Sequence, residues 1–189
     1  MSPSIHPPGG YPHQTMTYDI ESDRVILYGG NVGGNRETWS YDYNSNTWVK
    51  MKPKQMPRSI GYTQMTYDFE SDSVILFGGW TGLPSLSDDT WVYEDNIDAW
   101  KNMSPPQKPP ARYYDPLVYL FKHDRIIMFG GMGVGQYNYL DDTWMYELDG
   151  IPMPDTYPPY VVSTIPKNNS ANVSAYSRIT IQWNESMNR

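Results

Sequence analysis

The chain has 189 residues, no cysteine and a net charge of −7, so it is long enough for one or two domains and cannot form disulfides or thiolate sites. The acidic balance disfavours a nucleic-acid partner, because a polyanion would be repelled. No window approaches the ~18 apolar residues of a membrane span, and the Pro/Gly-rich leader 1–10 has neither the charged nor the apolar region of a signal peptide.

Three segments of the chain repeat one another, and this self-similarity is the main guide to the fold. They read MTYDIESDRVILYGG at 16–30, MTYDFESDSVILFGG at 65–79 and LVYLFKHDRIIMFGG at 117–131. After a variable loop, each is followed by an acidic residue, a Thr and a Trp. The Gly-Gly pairs lie 49 and 52 residues apart, and the Trp residues lie 52 and 53 apart. A repeat of this length predicts one supersecondary unit per copy.

One copy predicts four short strands, which we call a, b, c and d. In the first copy they are 14–19, 24–28, 38–43 and 47–51. Strand b is a continuous apolar run, which indicates burial on both faces. Strand c alternates Trp and Tyr with polar residues. Polar turns join a to b and c to d, and the Gly-Gly pair after strand b allows a positive φ or a close backbone approach.

These features resemble the kelch family of β-propellers, whose repeat is near ~50 residues. The resemblance predicts an all-β fold of three four-stranded antiparallel blades, at about 11–54, 55–107 and 108–156. Propellers close with ~4–8 blades, so the three predict an incomplete propeller. It needs further blades, which we expect in a longer parent chain of which this sequence is a fragment; a second copy of the chain is the alternative. The signature residues, predicted to serve packing and backbone geometry, are Gly29, Gly30, Trp39, Trp48, Gly78, Gly79, Trp91, Trp100, Gly130, Gly131 and Trp144.

The third copy departs from the pattern near its end. The first two copies have a second Trp in strand d, Trp48 and Trp100. In the third copy Met153 stands at this position between two prolines, so strand d is predicted to be short or absent there. From residue 157 a Tyr-Pro-Pro linker leads into two alternating runs, 160–165 and 176–183. Segment 157–189 resembles the start of the bacterial and archaeal Ig-like domains of cell-surface proteins, which implies a truncated Ig-like β segment.

The sequence does not predict a metal site, a cofactor or a catalytic group. His6, His13 and His123 are the only histidines, and none has metal-ligand spacing to another. Kelch-like copper oxidases of the galactose oxidase type use a Tyr–Cys crosslink, which this chain cannot form without cysteine. The acidic residues before each Trp, at 37, 89 and 142, recur in phase, so we interpret them as acceptors for loop or strand-end N–H groups.

Ligand binding is predicted at the b–c loops and the links from strand d to the next strand a, because antiparallel strands bring both to one face. The loops 31–36, 80–88 and 132–141 vary most, and variable loops on a rigid scaffold often carry recognition. The candidate ligand-binding residues are Arg36, Arg58, Trp80, Arg112, Tyr137 and Tyr139.

The function expected from these features is a non-catalytic module that binds a protein or carbohydrate. Four Asn-x-Ser sequons, at Asn102, Asn168, Asn172 and Asn184, favour an exported or cell-surface protein. Two alternatives stay open. One is a carbohydrate-active propeller enzyme (oxidase, lyase or epimerase) whose site needs further blades, and the other is a structural surface-layer spacer.

Overall fold

The structure is a computed structural model that describes residues 3–8, 13–29, 36–58, 61–82, 85–103, 105–135, 137–148, 161–165 and 180–183. The chain divides into two compact units, Met1–Ile151 and Pro152–Arg189. Among the described residues, no helix is long and apolar enough to cross a membrane. The only helical element they contain is a single turn of 3₁₀ helix, Asp95–Ile97.

The first blade is a four-stranded antiparallel sheet in chain order. Its strands are β1 (Thr15–Asp19), β2 (Arg24–Tyr28), β3 (Thr38–Asp42) and β4 (Thr47–Lys50). These bounds lie within one residue of strands a to d as the sequence predicts them. The apolar run of strand b is therefore extended, as its β-branched and aromatic residues favour.

The second blade repeats this arrangement with β5 (Gln64–Asp68), β6 (Ser73–Phe77), β9 (Thr90–Glu94) and β10 (Ala99–Asn102). Its b–c loop contains a small hairpin of β7 (Trp80–Gly82) and β8 (Ser85–Leu86). The link into the third blade contains β11 (Arg112–Tyr113). That blade consists of β12 (Leu117–Leu120), β13 (Arg125–Phe129) and β15 (Thr143–Tyr146), and β14 (Met132–Gly133) in its b–c loop pairs with β11.

The core lies between neighbouring blades. Strand β6 of the middle blade is buried along its whole length, because a blade covers each of its faces. One apolar cluster joins Ile26 and Tyr28 of the first blade to Met65, Trp91 and Trp100 of the second. The indole Nε1 of Trp100 donates to Thr38 Oγ1 across this interface at 2.9 Å. The prediction of an all-β fold built from separate antiparallel blades is confirmed.

The a–b and c–d hairpin turns lie at the ends of the strands away from the b–c loops. Five of them, all within the described residues, contain the same type of hydrogen bond. In each, a Tyr hydroxyl donates to a carboxylate or amide oxygen five residues later, at 2.6–3.0 Å. The accepting residue has a left-handed φ of 47–54°, which Asp and Asn tolerate best among residues with a side chain. The pairs are Tyr18–Asp23, Tyr41–Asn46, Tyr67–Asp72, Tyr93–Asp98 and Tyr119–Asp124.

The second unit contains an antiparallel pair, β16 (Val161–Ile165) and β17 (Thr180–Trp183), with a register shift between Val161 and Ser163. Both strands fall within the two runs that the sequence predicts. The Ig-like assignment stays a prediction. The expected loss of strand d around Met153 lies outside the described residues.

Candidate functional site

Three residues of the links that precede strand a have an uncommon backbone conformation. His13, Tyr62 and Tyr114 have φ values of 78°, 59° and 59°. Residues with a side chain rarely adopt this left-handed region, and each such residue costs about 1–3 kcal/mol unless its surroundings hold it. All three stand at the same place in the repeat, so the conformation is a property of the links.

The side chains of these link residues form one aromatic cluster. The imidazole of His13 stacks on the ring of Tyr62, with centroids 3.6 Å apart and planes inclined by 23°. Tyr114 meets Tyr62 edge-on at 4.9 Å. The backbones are joined as well, since Tyr62 N donates to His13 O and Tyr114 N donates to Tyr62 O. Rings and backbone together therefore connect the three blades at this end.

Beside the cluster lies a cleft between the second and third blades, with a volume of about 560 Å³. We call it the aromatic cleft. None of the described residues that line it is charged, and Tyr62 is an edge-on neighbour of both Trp80 and Tyr113. Its lining residues are Tyr62, Trp80, Leu86, Tyr113, Gly133, Val134 and Gly135. The surface is therefore suited to an uncharged ligand that presents apolar or flat groups.

Backbone pairing holds the walls of the cleft in place. Trp80 N donates to Gly61 O at 2.9 Å, which fixes the b–c hairpin of the second blade against the link before it. Arg112 and Tyr113 pair with Gly133 and Met132 in the short β11–β14 ladder. The b–c loops and the links thus meet on one face of the molecule.

Arg112 is one of the predicted ligand-binding residues, but its side chain is fully buried. The guanidinium makes a bidentate pair with Asp142, at 2.6 and 2.7 Å. It also donates to the carbonyl oxygens of Gly130 and Pro110. The hydrogen bonds that Arg112 donates to the Asp142 carboxylate hold the pKa of that carboxyl down at about 2. The structure therefore places Arg112 inside the scaffold, where its donors bind protein acceptors and no ligand reaches them.

Asp115 lies under the same face and is also fully buried. Its carboxyl oxygens have no hydrogen-bond partner among the described residues, and burial raises its pKa to about 7. Two repeat glycines leave room for it. A Cβ on Gly78 would lie 3.4 Å from Asp115 Oδ1, and one on Gly131 would lie 3.1 Å from Asp115 Cβ. Gly78 and Gly131 therefore serve both positive φ and close approach.

Of the other five candidates, only Trp80 lines the aromatic cleft. Tyr137 and Tyr139 are 70% and 69% exposed in the b–c loop of the third blade, and neither lines the cleft. Arg58 is exposed and Arg36 is half-buried. The described structure thus does not bring these residues into a single site, and their role in ligand binding stays a prediction.

The sequence predicts the segments that form the cleft, the b–c loops and the links, but in the links it led us to Arg58 and Arg112 and not to Tyr62 and Tyr113. A signal was present. His13, Tyr62 and Tyr114 each stand three residues before the apolar residue that marks strand a, at 16, 65 and 117. An aromatic residue that recurs at one repeat position outside the strands indicates that this position has the same structural role in each link.

Two of the acidic residues that precede the Trp residues, Glu37 and Asp142, accept hydrogen bonds from side chains. Trp39 Nε1 donates to Glu37 at 2.9 Å, and Trp144 Nε1 donates to Asp142 at 2.6 Å. Lys50 also pairs with Glu37. Within the described ranges, no group of three or more His, Asp or Glu residues converges as a metal site would.

These features agree with a known repeat family. The model of the family described as the KLHDC2/KLHL20/DRC7 Kelch-repeats domain matches residues 2–151. The chain belongs to the kelch-repeat family. Kelch domains are in general protein-interaction modules, and the matched range covers all three blades. The comparison with curated proteins found no significant match.

Proposed function

We propose that this kelch domain is a non-catalytic recognition module that binds an uncharged, apolar segment of a partner protein in the aromatic cleft. The observation that carries the proposal is the open, charge-free wall formed by Tyr62, Trp80 and Tyr113. Aromatic residues of this kind contribute most of the energy at many interfaces, because they bury a large area with little loss of side-chain freedom.

The ionisable groups near the cleft support a binding role. The charge of Arg112 is neutralised by Asp142, and Asp115 is sealed below the surface. A catalytic acid or base must come within hydrogen-bond reach of its substrate, and neither group does so in this arrangement. We therefore favour binding over the carbohydrate-active enzyme. Measurable turnover of a sugar substrate that depends on these residues would reverse this choice.

The test is selection of linear peptides from a random display library against the whole chain. We expect enriched peptides to be uncharged and rich in aromatic residues or proline, because aromatic grooves favour such segments. Trp80→Ala and Tyr113→Ala are each expected to weaken a selected peptide by 2 kcal/mol or more, on the order of a hot-spot residue. Tyr43→Ala is the matched control, since Tyr43 is 64% exposed in a turn at the far end of the strands.

Equal loss of binding in the Tyr43 variant, or enrichment of acidic peptides, would contradict a site in the cleft. Tyr137→Ala and Tyr139→Ala test whether the exposed loop tyrosines add to it. Glycan arrays probed with the same variants address the carbohydrate alternative, and a chain that binds neither peptide nor glycan would fit a surface-layer spacer.

We also propose that the parent protein is exported, with an Ig-like segment after the kelch domain. The support is the four sequons and the resemblance of segment 157–189 to surface-protein domains. Immunoblots of fractionated cells of the source organism test this proposal. Recovery of the protein in the cytosolic fraction alone would refute it.

A further inference from the structure

The two outer blades each leave one apolar face open, and the middle blade shows how such a face is normally covered. Met65 and Tyr67 on strand a of the second blade are 7% and 9% exposed, because they pack against the first blade. The same repeat positions in the first blade, Met16 and Tyr18, are 64% and 48% exposed. The open surface of the first blade formed by Met16, Tyr18, Tyr41 and Trp48 is called the near face.

The third blade has the complementary opening. Phe77 and Val92 of the second blade are 4% and 3% exposed under the third blade, whereas Phe129 and Met145 at the equivalent positions are 54% and 65% exposed. Val118 beside them is 53% exposed. We call the surface formed by Val118, Phe129, Thr143 and Met145 the far face. Between neighbouring blades of the chain, the surface equivalent to the far face of one blade covers the surface equivalent to the near face of the next.

The near face already has the geometry of its covered counterpart. Tyr41 and Trp48 have ring centroids 4.9 Å apart with planes inclined by 40°. In the buried interface, Tyr93 and Trp100 show 4.9 Å and 39°. The aromatic pair is therefore preorganised, so that little rearrangement is needed for another blade to dock on it.

The buried interface also identifies the specific contacts that docking would make. Trp100 meets Tyr28 edge-on at 5.2 Å and donates to Thr38 Oγ1. Trp48 occupies the position of Trp100, while Phe129 and Thr143 occupy those of Tyr28 and Thr38. Thr143 is exposed on the far face, so its hydroxyl is accessible to an incoming indole.

We propose that the near face of one copy of this chain docks on the far face of a second copy, and the reverse, so that two chains close a ring of six blades. A two-fold arrangement uses both open faces of both chains, and six blades fall within the ~4–8 that closed propellers have. Across each junction, Phe129 of one copy packs on Trp48 of the other, and Trp48 Nε1 donates to Thr143 Oγ1.

The test is the mass of the whole chain in solution, measured by sedimentation equilibrium over a wide range of protein concentration. The expected mass is about 43.6 kDa, twice the 21.8 kDa of the chain. A mass of 21.8 kDa throughout overturns the proposal, and so does a mass that keeps growing with concentration, because that indicates open head-to-tail assembly.

Variants locate the interface. Met16→Lys and Phe129→Glu each bring an unpaired charge into the junction and are expected to weaken the dimer more than about a hundredfold. Ile97→Lys is the matched control, since Ile97 is as exposed as Met16, at 64%, but lies in a turn away from both faces. Because the changed residues are exposed, circular dichroism of each variant is expected to match the parent chain.

Mixing the two variants gives the decisive measurement. In a mixed pair, one junction carries both changes and the other carries none, so we expect the mixture to dimerise more tightly than either variant alone. Thr143→Val is expected to weaken the dimer about thirtyfold, as for two lost hydrogen bonds, one at each junction, while Thr90→Val leaves it unchanged. A mixture that stays monomeric, or a dimer indifferent to Met16→Lys, refutes the six-blade ring.

Discussion

The buried pair of Arg112 and Asp142 yields the sharpest stability prediction, because its two members have unequal surroundings. The Arg112 side chain is fully buried, whereas that of Asp142 is 37% exposed. Asp142→Ala leaves a buried guanidinium without a counter-ion, and arginine cannot shed its charge. Removing one partner in this way typically costs about 3–5 kcal/mol.

The reverse change is expected to cost less. Arg112→Met keeps most of the buried volume, and the Asp142 carboxylate that it releases already reaches water. The carbonyls of Gly130 and Pro110 each lose a donor, at about 1 kcal/mol apiece, and the desolvation cost of the buried charge disappears. We therefore expect a loss of about 2 kcal/mol or less for Arg112→Met.

Urea unfolding followed by tryptophan fluorescence measures both variants. The double variant is expected to match Arg112→Met, because the charge that Asp142 compensates is gone. Glu147→Ala is the control, since it breaks an Arg125 ion pair at the surface and is expected to cost less than about 1 kcal/mol. If Arg112→Met destabilises the chain as much as Asp142→Ala, the asymmetry argument is wrong.

Three other changes probe the buried parts of the domain. The folded-state pKa of Asp115, about 7, exceeds the ordinary 3.8, so between these pH values the folded state keeps a proton that the unfolded state releases. The contribution of this proton to the unfolding free energy is complete below pH 3.8 and is lost as pH rises through 7. The unfolding free energy is therefore expected to be higher at about pH 5 than at about pH 8, and Asp115→Asn to reduce that difference; an unchanged pH slope in the variant would contradict this role. Gly78→Ala places a Cβ 2.7 Å from a backbone carbonyl at a φ of +64° and is expected to lower the melting temperature, whereas Gly61→Ala, with its nearest neighbour at 3.5 Å, is tolerated; equal thermal shifts would speak against the close approach. Tyr93→Phe removes the bond to Asp98 and is expected to cost about 1 kcal/mol in urea unfolding, and a neutral result would show that the turn holds without it.

The strands were predictable because their signal is local. The run from Val74 to Phe77 has the apolar, β-branched composition of a strand covered on both faces, and its burial agrees. The Gly-Gly pairs are equally direct, since the positive φ of Gly78 and Gly79 follows from what glycine alone tolerates.

The site was harder to predict because it depends on residues far apart in the chain. The sequence next to Arg112 does not indicate that its side chain is buried or that it pairs with a carboxylate 30 residues later. Exposed and buried arginines look alike in a sequence, as Arg58 and Arg112 show. The aromatic residues of the links were missed for a related reason, since the conformation of the links comes from hydrogen bonds between blades.

The stacked links also bear on how the kelch domain comes apart. The ring of Tyr62 stacks on His13 in the link before the first blade, and its carbonyl oxygen accepts a hydrogen bond from Tyr114 N in the link before the third blade. Pulling one blade away would strip the aromatic and hydrogen-bonding partners from the next, so no blade is a separate melting unit. We expect the domain to unfold in one cooperative step, and limited proteolysis to yield no folded fragment of one or two blades.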